Sequence, residues 1–494
     1  MMIIPKQYKQ ILLALFFSLI GGFSSLQAKV LLPAFIGDNM VLQQKEKVKI
    51  WGTSSALGKD LQVKTSWNKK SYSAQIDQQV NWVVYLQTPQ YGGPYQISID
   101  DGDQLTLNNI LIGEVWFCSG QSNMEMPLAG WGEIDNFQQE IKAANYANIR
   151  ILQIPKATAM QPTTEVKVEA GGWNSVTPQS IPTFSATAYF FAREIYEKTG
   201  IPIGLIHSSW GGTIIEAWMS RRALAPFAEY TTKIEKMQHP DPQDKMYKSL
   251  TEGPNRPTVL YNAMVKPFVD FKIKGAIWYQ GESNADSKDA PYQQLLPALI
   301  KDWRQQWNNE KMPFYFVQLA NYKEKKTSPQ PSSWARLREA QRQTLRLPYT
   351  GMAVIADIGD AEDIHPKNKQ DVGKRLGWIA TNQLYGKKIP YSGPVLADWT
   401  IKGNEIQLSF SPMGKKLQLK NTDKLKGSFT IAGADQVFYP AEVKQVGNML
   451  MVSAKEVSSP AAVRYGWADN PDLTLYNDAG IPGSPFRTDD WTKN

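Results

Sequence analysis

Gly113-Glu-Val-Trp-Phe-Cys-Ser-Gly-Gln-Ser-Asn-Met124 decides how this chain reads. A short apolar strand, Val115 to Cys118, runs into Ser119-Gly120, and Gly120 permits the tight turn that Ser122 follows. Such a turn lifts a side chain off the strand end and aims backbone N–H groups at the space above it. A serine there is placed to attack a carbonyl carbon while its own N–H steadies the resulting oxyanion. The spacing is Gly-Gln-Ser-Asn-Met, which is not the Gly-x-Ser-x-Gly of the common α/β-hydrolase elbow.

Working outward, residues from about 111 alternate strands with amphipathic helices. The strand candidates are Glu114–Cys118, Ile203–His207, Gly275–Tyr279, Pro313–Leu319 and Ala353–Ile358. Helix candidates are Ser185–Lys198, closed by Gly200, then Ala290–Gln306, Ser333–Leu345 and Lys367–Leu384. This alternation predicts an α/β domain with a parallel sheet covered on both faces. In such sheets the reactive site lies beyond the carboxyl ends of the strands, and Ser122 directly follows one of them. Residues 29–110 carry short apolar runs with turn signals and no helical period, as in Val48-Lys-Ile-Trp-Gly52 and Trp82-Val-Val-Tyr-Leu86. They predict a small β-sandwich. Residues 391–494 return to short runs such as Glu405-Ile-Gln-Leu-Ser409 and Ala462-Val-Arg-Tyr465 and predict a second β-rich region.

Acyl transfer by a serine needs a base, and the chain holds three histidines. His239 lies in a polar, proline-broken loop and reads as a surface residue. His207 ends an apolar run and reads as a strand-end histidine with its hydrogen bonds satisfied. His365 sits in Asp360-Ala-Glu-Asp-Ile-His-Pro-Lys-Asn368, where a nearby carboxylate would orient the imidazole and stabilise its protonated form. His365 is therefore the candidate general base for Ser122. Gly211-Gly212, after the strand that ends at His207, is a candidate source of a second oxyanion N–H.

Composition bounds the remaining classes. Lys6 and Lys9 precede the apolar run Ile11–Ile20, and Ser24-Ser-Leu-Gln-Ala28 offers a cleavage site, so residues 1–28 read as a signal peptide. The expected location is periplasmic or extracellular, with no stable membrane insertion. The formal charge of +8 falls to +6 when the two lysines leave, and the basic residues are scattered, which is no nucleic-acid footprint. Cys118 is the single cysteine and reads as a buried, inert thiol. No His-x-x-x-His pair, cysteine pair or glycine-rich phosphate loop is present, so neither metal nor cofactor is expected. Sixteen tryptophans lean toward a carbohydrate ligand, because flat aromatic faces serve sugar clefts.

Four blocks in order resemble those of the sialate O-acetylesterase family of SGNH hydrolases. They are Gly120-Gln-Ser-Asn-Met124, Ser208-Ser-Trp-Gly-Gly-Thr213, Trp278-Tyr-Gln-Gly-Glu-Ser-Asn284 and Asp363-Ile-His-Pro-Lys-Asn-Lys369, within roughly residues 112–380. The resemblance implies an SGNH-type three-layer catalytic domain over 111–390 and an acetylated sialic acid, free or in a glycan, as substrate. Acetylated hemicellulose such as xylan stands close behind. It also implies Asp363 as the carboxylate that orients His365, since the Asp-Ile-His-Pro string is unbroken. The SGNH pattern usually sets that Asp three residues before His, where Glu362 stands, so Glu362 stays open, as do Asp360 at longer reach and Glu282 of the Gln-Gly-Glu string. Besides the N–H groups of Ser122 and Gly212, the family's third oxyanion donor is a side-chain amide, for which Gln280 or Asn284 is the candidate. Gln121, Asn123, Trp210 and Trp278, all in these blocks, are the candidate substrate-binding residues, with bracing of the turn as the other role for Asn123. From a different class, the rival is a carbohydrate-binding protein whose α/β domain has lost activity.

Overall fold

A computed structural model describes residues 29–286 and 292–491. The expected signal peptide, residues 1–28, lies outside the described residues. The central strand is much longer than the sequence suggests. Strand β1, Gln104–Gly120, spans 17 residues. Its first half pairs with Gly92–Asp100 and Val41–Gln43 of the N-terminal region, and its second half forms the middle of the central sheet. One continuous strand therefore crosses position 110, where composition shifts from β-rich to alternating α/β.

The central sheet adds β2 (Tyr146–Gln153), β3 (Asn174–Val176), β4 (Ile203–Ser209), β5 (Gly275–Tyr279), β6 (Phe314–Val317) and β7 (Thr350–Ala353). Across the sheet the order is β3-β2-β4-β1-β5-β6-β7. All neighbours are parallel except β3, which runs antiparallel to β2, and antiparallel strands of the N-terminal region continue the sheet through β1. The expectation of a purely parallel sheet is thus corrected to a mixed one. An edge strand needs no crossover helix, so nothing in the helical periodicity announces it. The chain leaves β1 toward β2 and β4 on one side and later returns to β5 on the other. That reversal opens a crevice at the carboxyl end of β1, where ligands of open α/β sheets bind.

Alternation along the strands builds two apolar layers. Val115 and Phe117 of β1, with Phe314 and Phe316 of β6, join one core cluster, while Trp116 and Cys118, with Tyr315 and Val317, join the other. Helices α1 (Ala186–Thr199) and α4 (Lys369–Tyr385) pack on the Trp116 side; α2 (Tyr292–Gln306) and α3 (Ser333–Thr344) pack on the Phe117 side. Their ends follow local signals. Ser185 accepts the Ala188 N–H at 3.1 Å and Gly200 takes the left-handed conformation (φ +69°), as N- and C-caps do. The last strand candidate, Ala353–Ile358, is displaced: β7 runs from Thr350 to Ala353 and shares only Ala353 with it, while 354–358 lead on as loop toward His365.

In the N-terminal region, Val30–Leu31, Lys47–Ser54 and Asn81–Gln87 form an antiparallel sheet. Its buried residues Val48, Ile50, Val84 and Leu86 share a core with Leu61, Val63, Ile97 and Ile99 of the other sheet. The C-terminal region holds two four-stranded antiparallel sheets and a two-stranded one. The wholly buried guanidinium of Arg338 on α3 ties it down, donating to the carbonyls of Ala468 and Asp469 and to those of Leu319 and Ala320.

Candidate active site

At its carboxyl end β1 must turn within the space left by its neighbours. Gly120 has φ +142°, and a Cβ there would lie 2.1 Å from the Tyr279 carbonyl oxygen of β5, so only glycine fits. The turn is fastened on both sides: Gln121 N donates to Tyr279 O (3.0 Å) and Trp210 N donates to Gly120 O (3.1 Å). Ser122 then begins a single helical turn, Ser122–Glu125, at the mouth of the crevice.

The loop after β7 brings His365 to it. Ser122 Oγ and His365 Nε2 are 2.9 Å apart, across 243 positions of sequence. His365 Nδ1 lies 3.4 Å from Asp363 Oδ1, which also accepts the His365 backbone N–H at 2.8 Å. Burial holds the imidazole below its usual pKa; the Asp363 carboxylate opposes this and the Lys369 ammonium adds to it. Of the other two carboxylates before it, Asp360 accepts the Glu362 N–H at 2.8 Å, and both residues are exposed.

Gln121, Ser122, Glu125, Trp131, Lys156, Gly211, Gly212, Glu282, Ser283, Ile364 and His365 line a cleft of about 540 Å³. Among the described residues, the N–H groups of Ser122 and Gly212 meet no protein acceptor, whereas that of Gly211 is taken by Glu125 Oε2 at 2.5 Å. Glu125 also pairs with Lys156 (2.6 Å) at the rim, where the ammonium stands 5.7 Å from the centre of the Trp210 ring. Gln121 Oε1 accepts the N–H groups of Gly281 (3.3 Å) and Ser283 (3.2 Å), and among the described residues its NH₂, at the cleft wall, meets no acceptor.

Several sequence candidates stand elsewhere. Gln280 is wholly buried and donates to Thr213 O (3.1 Å) and Asn284 Oδ1 (2.6 Å). Asn284 in turn accepts from Ile215 N and donates to Glu216. Both amides are spent inside the fold and neither lines the cleft, which corrects their expected place in an oxyanion site. Trp278 is fully buried between Trp218 and Trp303, because strand alternation turns it to the core face, so it offers no surface to a substrate. Asn123 is likewise no ligand contact: it is buried, its Nδ2 donating to Glu282 Oε1 (2.6 Å) and Ile364 O (3.0 Å) and its Oδ1 accepting from Lys369 Nζ (2.9 Å). Glu282 does not reach His365 by a hydrogen bond. Its second oxygen is shielded from solvent and has no hydrogen-bond partner among the described residues, and burial raises its pKa.

Lys369, Glu125, Lys156 and Trp131 were not singled out from sequence. Lys369 opens α4 beyond the loop of His365 and its nearness to Asn123 is tertiary, whereas Glu125 stands one helical turn after Ser122, so spacing held a signal for it. Trp131 and Lys156 come from loops without one. Burial pulls the Lys369 ammonium down to about 7, with Glu282 the largest opposing influence. His207 is buried, its Nδ1 2.6 Å from Gln153 Oε1 and its Nε2 2.6 Å from Ser209 Oγ, and desolvation lowers it to about 3. It is a satisfied core histidine, and His239 is exposed. Cys118 is fully buried and its thiol is pushed well up. Among the described residues no cluster of His, Cys, Asp or Glu is arranged to hold a metal, and no helix is long and apolar enough to cross a membrane.

The chain is similar to proteins of known activity over nearly its whole length. It is 38% identical to a carbohydrate acetylesterase from Xanthomonas citri of known structure, with a TM-score of 0.83, over 94% of this chain and all of that one. It is 30% identical to sialate O-acetylesterase of Homo sapiens over 92% of this chain and 91% of that protein, and 28% identical to that of Mus musculus over 92% and 93%. The family described as carbohydrate esterase, sialic acid-specific acetylesterase matches residues 112–380, which contain the second half of β1, the Ser122 turn and the His365 loop. The chain belongs to this sialate O-acetylesterase family and is a carboxylic ester hydrolase.

Proposed function

We propose that this protein is an exported SGNH-type serine esterase that removes O-acetyl groups from sugars, with residues 111–390 as its catalytic unit. The observation that carries the mechanism is the 2.9 Å separation of Ser122 Oγ and His365 Nε2 at the cleft. Ser122 Oγ attacks the acetyl carbonyl carbon and its proton passes to His365 Nε2. The tetrahedral oxyanion is met by the N–H groups of Ser122 and Gly212, with the Gln121 amide as the side-chain donor nearest in role to the third. Collapse breaks the bond to the sugar oxygen, which takes the proton from His365 and leaves acetyl-Ser122. Water then attacks that ester and gives a proton to His365, which passes it to the departing Ser122 Oγ, so that acetate leaves and both Ser122 and neutral His365 are restored. Asp363 holds His365 Nδ1–H and stabilises the imidazolium formed in each half.

For the substrate we favour an acetylated sialic acid. The family description and the names of the relatives support it, as does Lys156, which brings an ammonium to the rim where an acidic sugar would lie. The second reading is an acetylated neutral glycan such as xylan; it is supported by the pairing of Lys156 with Glu125, which uses up that charge. Two measurements test these readings. Turnover of p-nitrophenyl acetate should fall about a thousandfold or more in Ser122→Ala, and equal rates would remove Ser122 from the mechanism. Acetate release from acetylated sialic acid against acetylated xylan separates the two substrates.

A further inference from the structure

We infer that Lys369 is a positioning residue for ester hydrolysis, its ammonium joining the residue that follows Ser122 to the residue that follows His365. Because those two enter with the roles proposed above, the inference rests on that reading.

Lys369 is the first residue of α4 and is wholly buried. Its Nζ donates to Asn123 Oδ1 (2.9 Å) and to the carbonyl of Pro366. Asn123 Nδ2 donates at the same time to the carbonyl of Ile364 (3.0 Å) and to Glu282 Oε1 (2.6 Å). Both carbonyls flanking His365 are therefore held by one Asn123–Lys369 unit, and that unit is the neighbour of Ser122. No backbone hydrogen bond is needed to span the gap between the β1 turn and the His365 loop.

A charged group is costly to bury, and a methionine of similar length would fill the same volume without that cost. A methionine would, however, leave Asn123 Oδ1 and Pro366 O without a donor, and the loop carrying His365 would lose one of its ties to the serine turn. Proton transfer falls off steeply with misplacement: a 1 Å error costs about a hundredfold. The ammonium also bears on the imidazole directly. The groups facing His365 are Asp363 on its own loop, Lys369 at the start of α4, and Glu125, Lys156 and Glu282 around the cleft. Of these, Lys369 depresses its basicity.

The test measures Lys369→Met and Lys369→Gln with p-nitrophenyl acetate, rates being referred to serines counted by a fluorophosphonate. Lys369→Met is expected to lower kcat per titrated serine about tenfold to a hundredfold, with KM within about twofold. The acid limb of its pH profile should move to higher pH, because a cation beside His365 has gone. Lys369→Gln keeps N–H donors for both oxygens and should recover part of kcat. A kcat per titrated serine within about twofold of wild type in Lys369→Met would overturn the inference. So would a loss that appears only as fewer titratable serines, or failure of both variants to fold, since either assigns Lys369 to stability alone. Ser122→Ala retaining full activity would instead sink the underlying mechanism, whereas an inactive Ser122→Ala beside an unimpaired Lys369→Met would sink only the role of Lys369.

Discussion

The indole of Trp131 meets the imidazole of His365 edge to face, with ring centroids 5.3 Å apart and planes at 81°. Trp131 is 56% exposed, so a ring that touches His365 also presents a bare face to the cleft. A sugar carrying the acetyl group would bury that face. Trp131→Ala should raise KM for an acetylated sugar about fivefold, in keeping with an aromatic contact of moderate strength. The kcat/KM for p-nitrophenyl acetate, which has no sugar, should change by less than about twofold. Equal losses on both substrates would place Trp131 in support of His365 and not in sugar binding.

The Asp363 side chain is 46% exposed and its contacts lie within its own loop, so its loss should hardly touch stability. Its carboxylate raises the basicity of His365. Asp363→Asn should therefore lower kcat at least about tenfold, leave the melting temperature nearly unchanged, and shift the acid limb to lower pH. A damaging Glu282→Gln beside a harmless Asp363→Asn would transfer the orienting role to Glu282.

Activity should fall on acidification as His365 gains a proton, because an imidazolium cannot accept the Ser122 hydrogen. Since burial holds this group below its usual value of about 6.5, the midpoint should lie below that pH, with a plateau above it. A kcat/KM profile that stays flat down to about pH 4 would contradict an imidazole base.

His207 makes a prediction about stability. It is neutral in the fold down to about pH 3, while in the unfolded chain it takes up a proton near pH 6.5. Between those values the unfolded state binds more protons, so stability is full above about 6.5 and drains as pH falls, at about 1.4 kcal/mol per unit. In denaturant titrations from pH 7 to 5, wild type should lose about 2 kcal/mol that His207→Gln does not. Parallel slopes in the two proteins would mean that His207 is charged in the fold.

Much of the site was legible because its signals are local. A glycine forced by the approach of β5 precedes the serine, a Ser cap and a Gly cap bound α1, and the acidic string before His365 set that histidine apart from the other two. Helix ends fell within a few residues of expectation for the same reason. The edge strand β3 was not legible because it is three residues long and mostly unburied, and the length of β1 was not because its second half is buried throughout and so carries no alternation.

Local sequence was enough to show the family to which the four blocks belong and to set apart a serine on a strand-end turn and a histidine beside carboxylates. Only the tertiary structure decided which side chains of those blocks face the cleft. Gln280 and Trp278 lie two apart on and just after β5, and the pleat turns both to the packed interior. Gln121, Glu125, Lys156 and Trp131 gather at the opening, and Lys369 lies beneath it. The physical reason is that spacing along a strand or helix sets which residues share a face. The contacts made by that face depend on elements hundreds of residues away, brought alongside by the order of strands in the sheet.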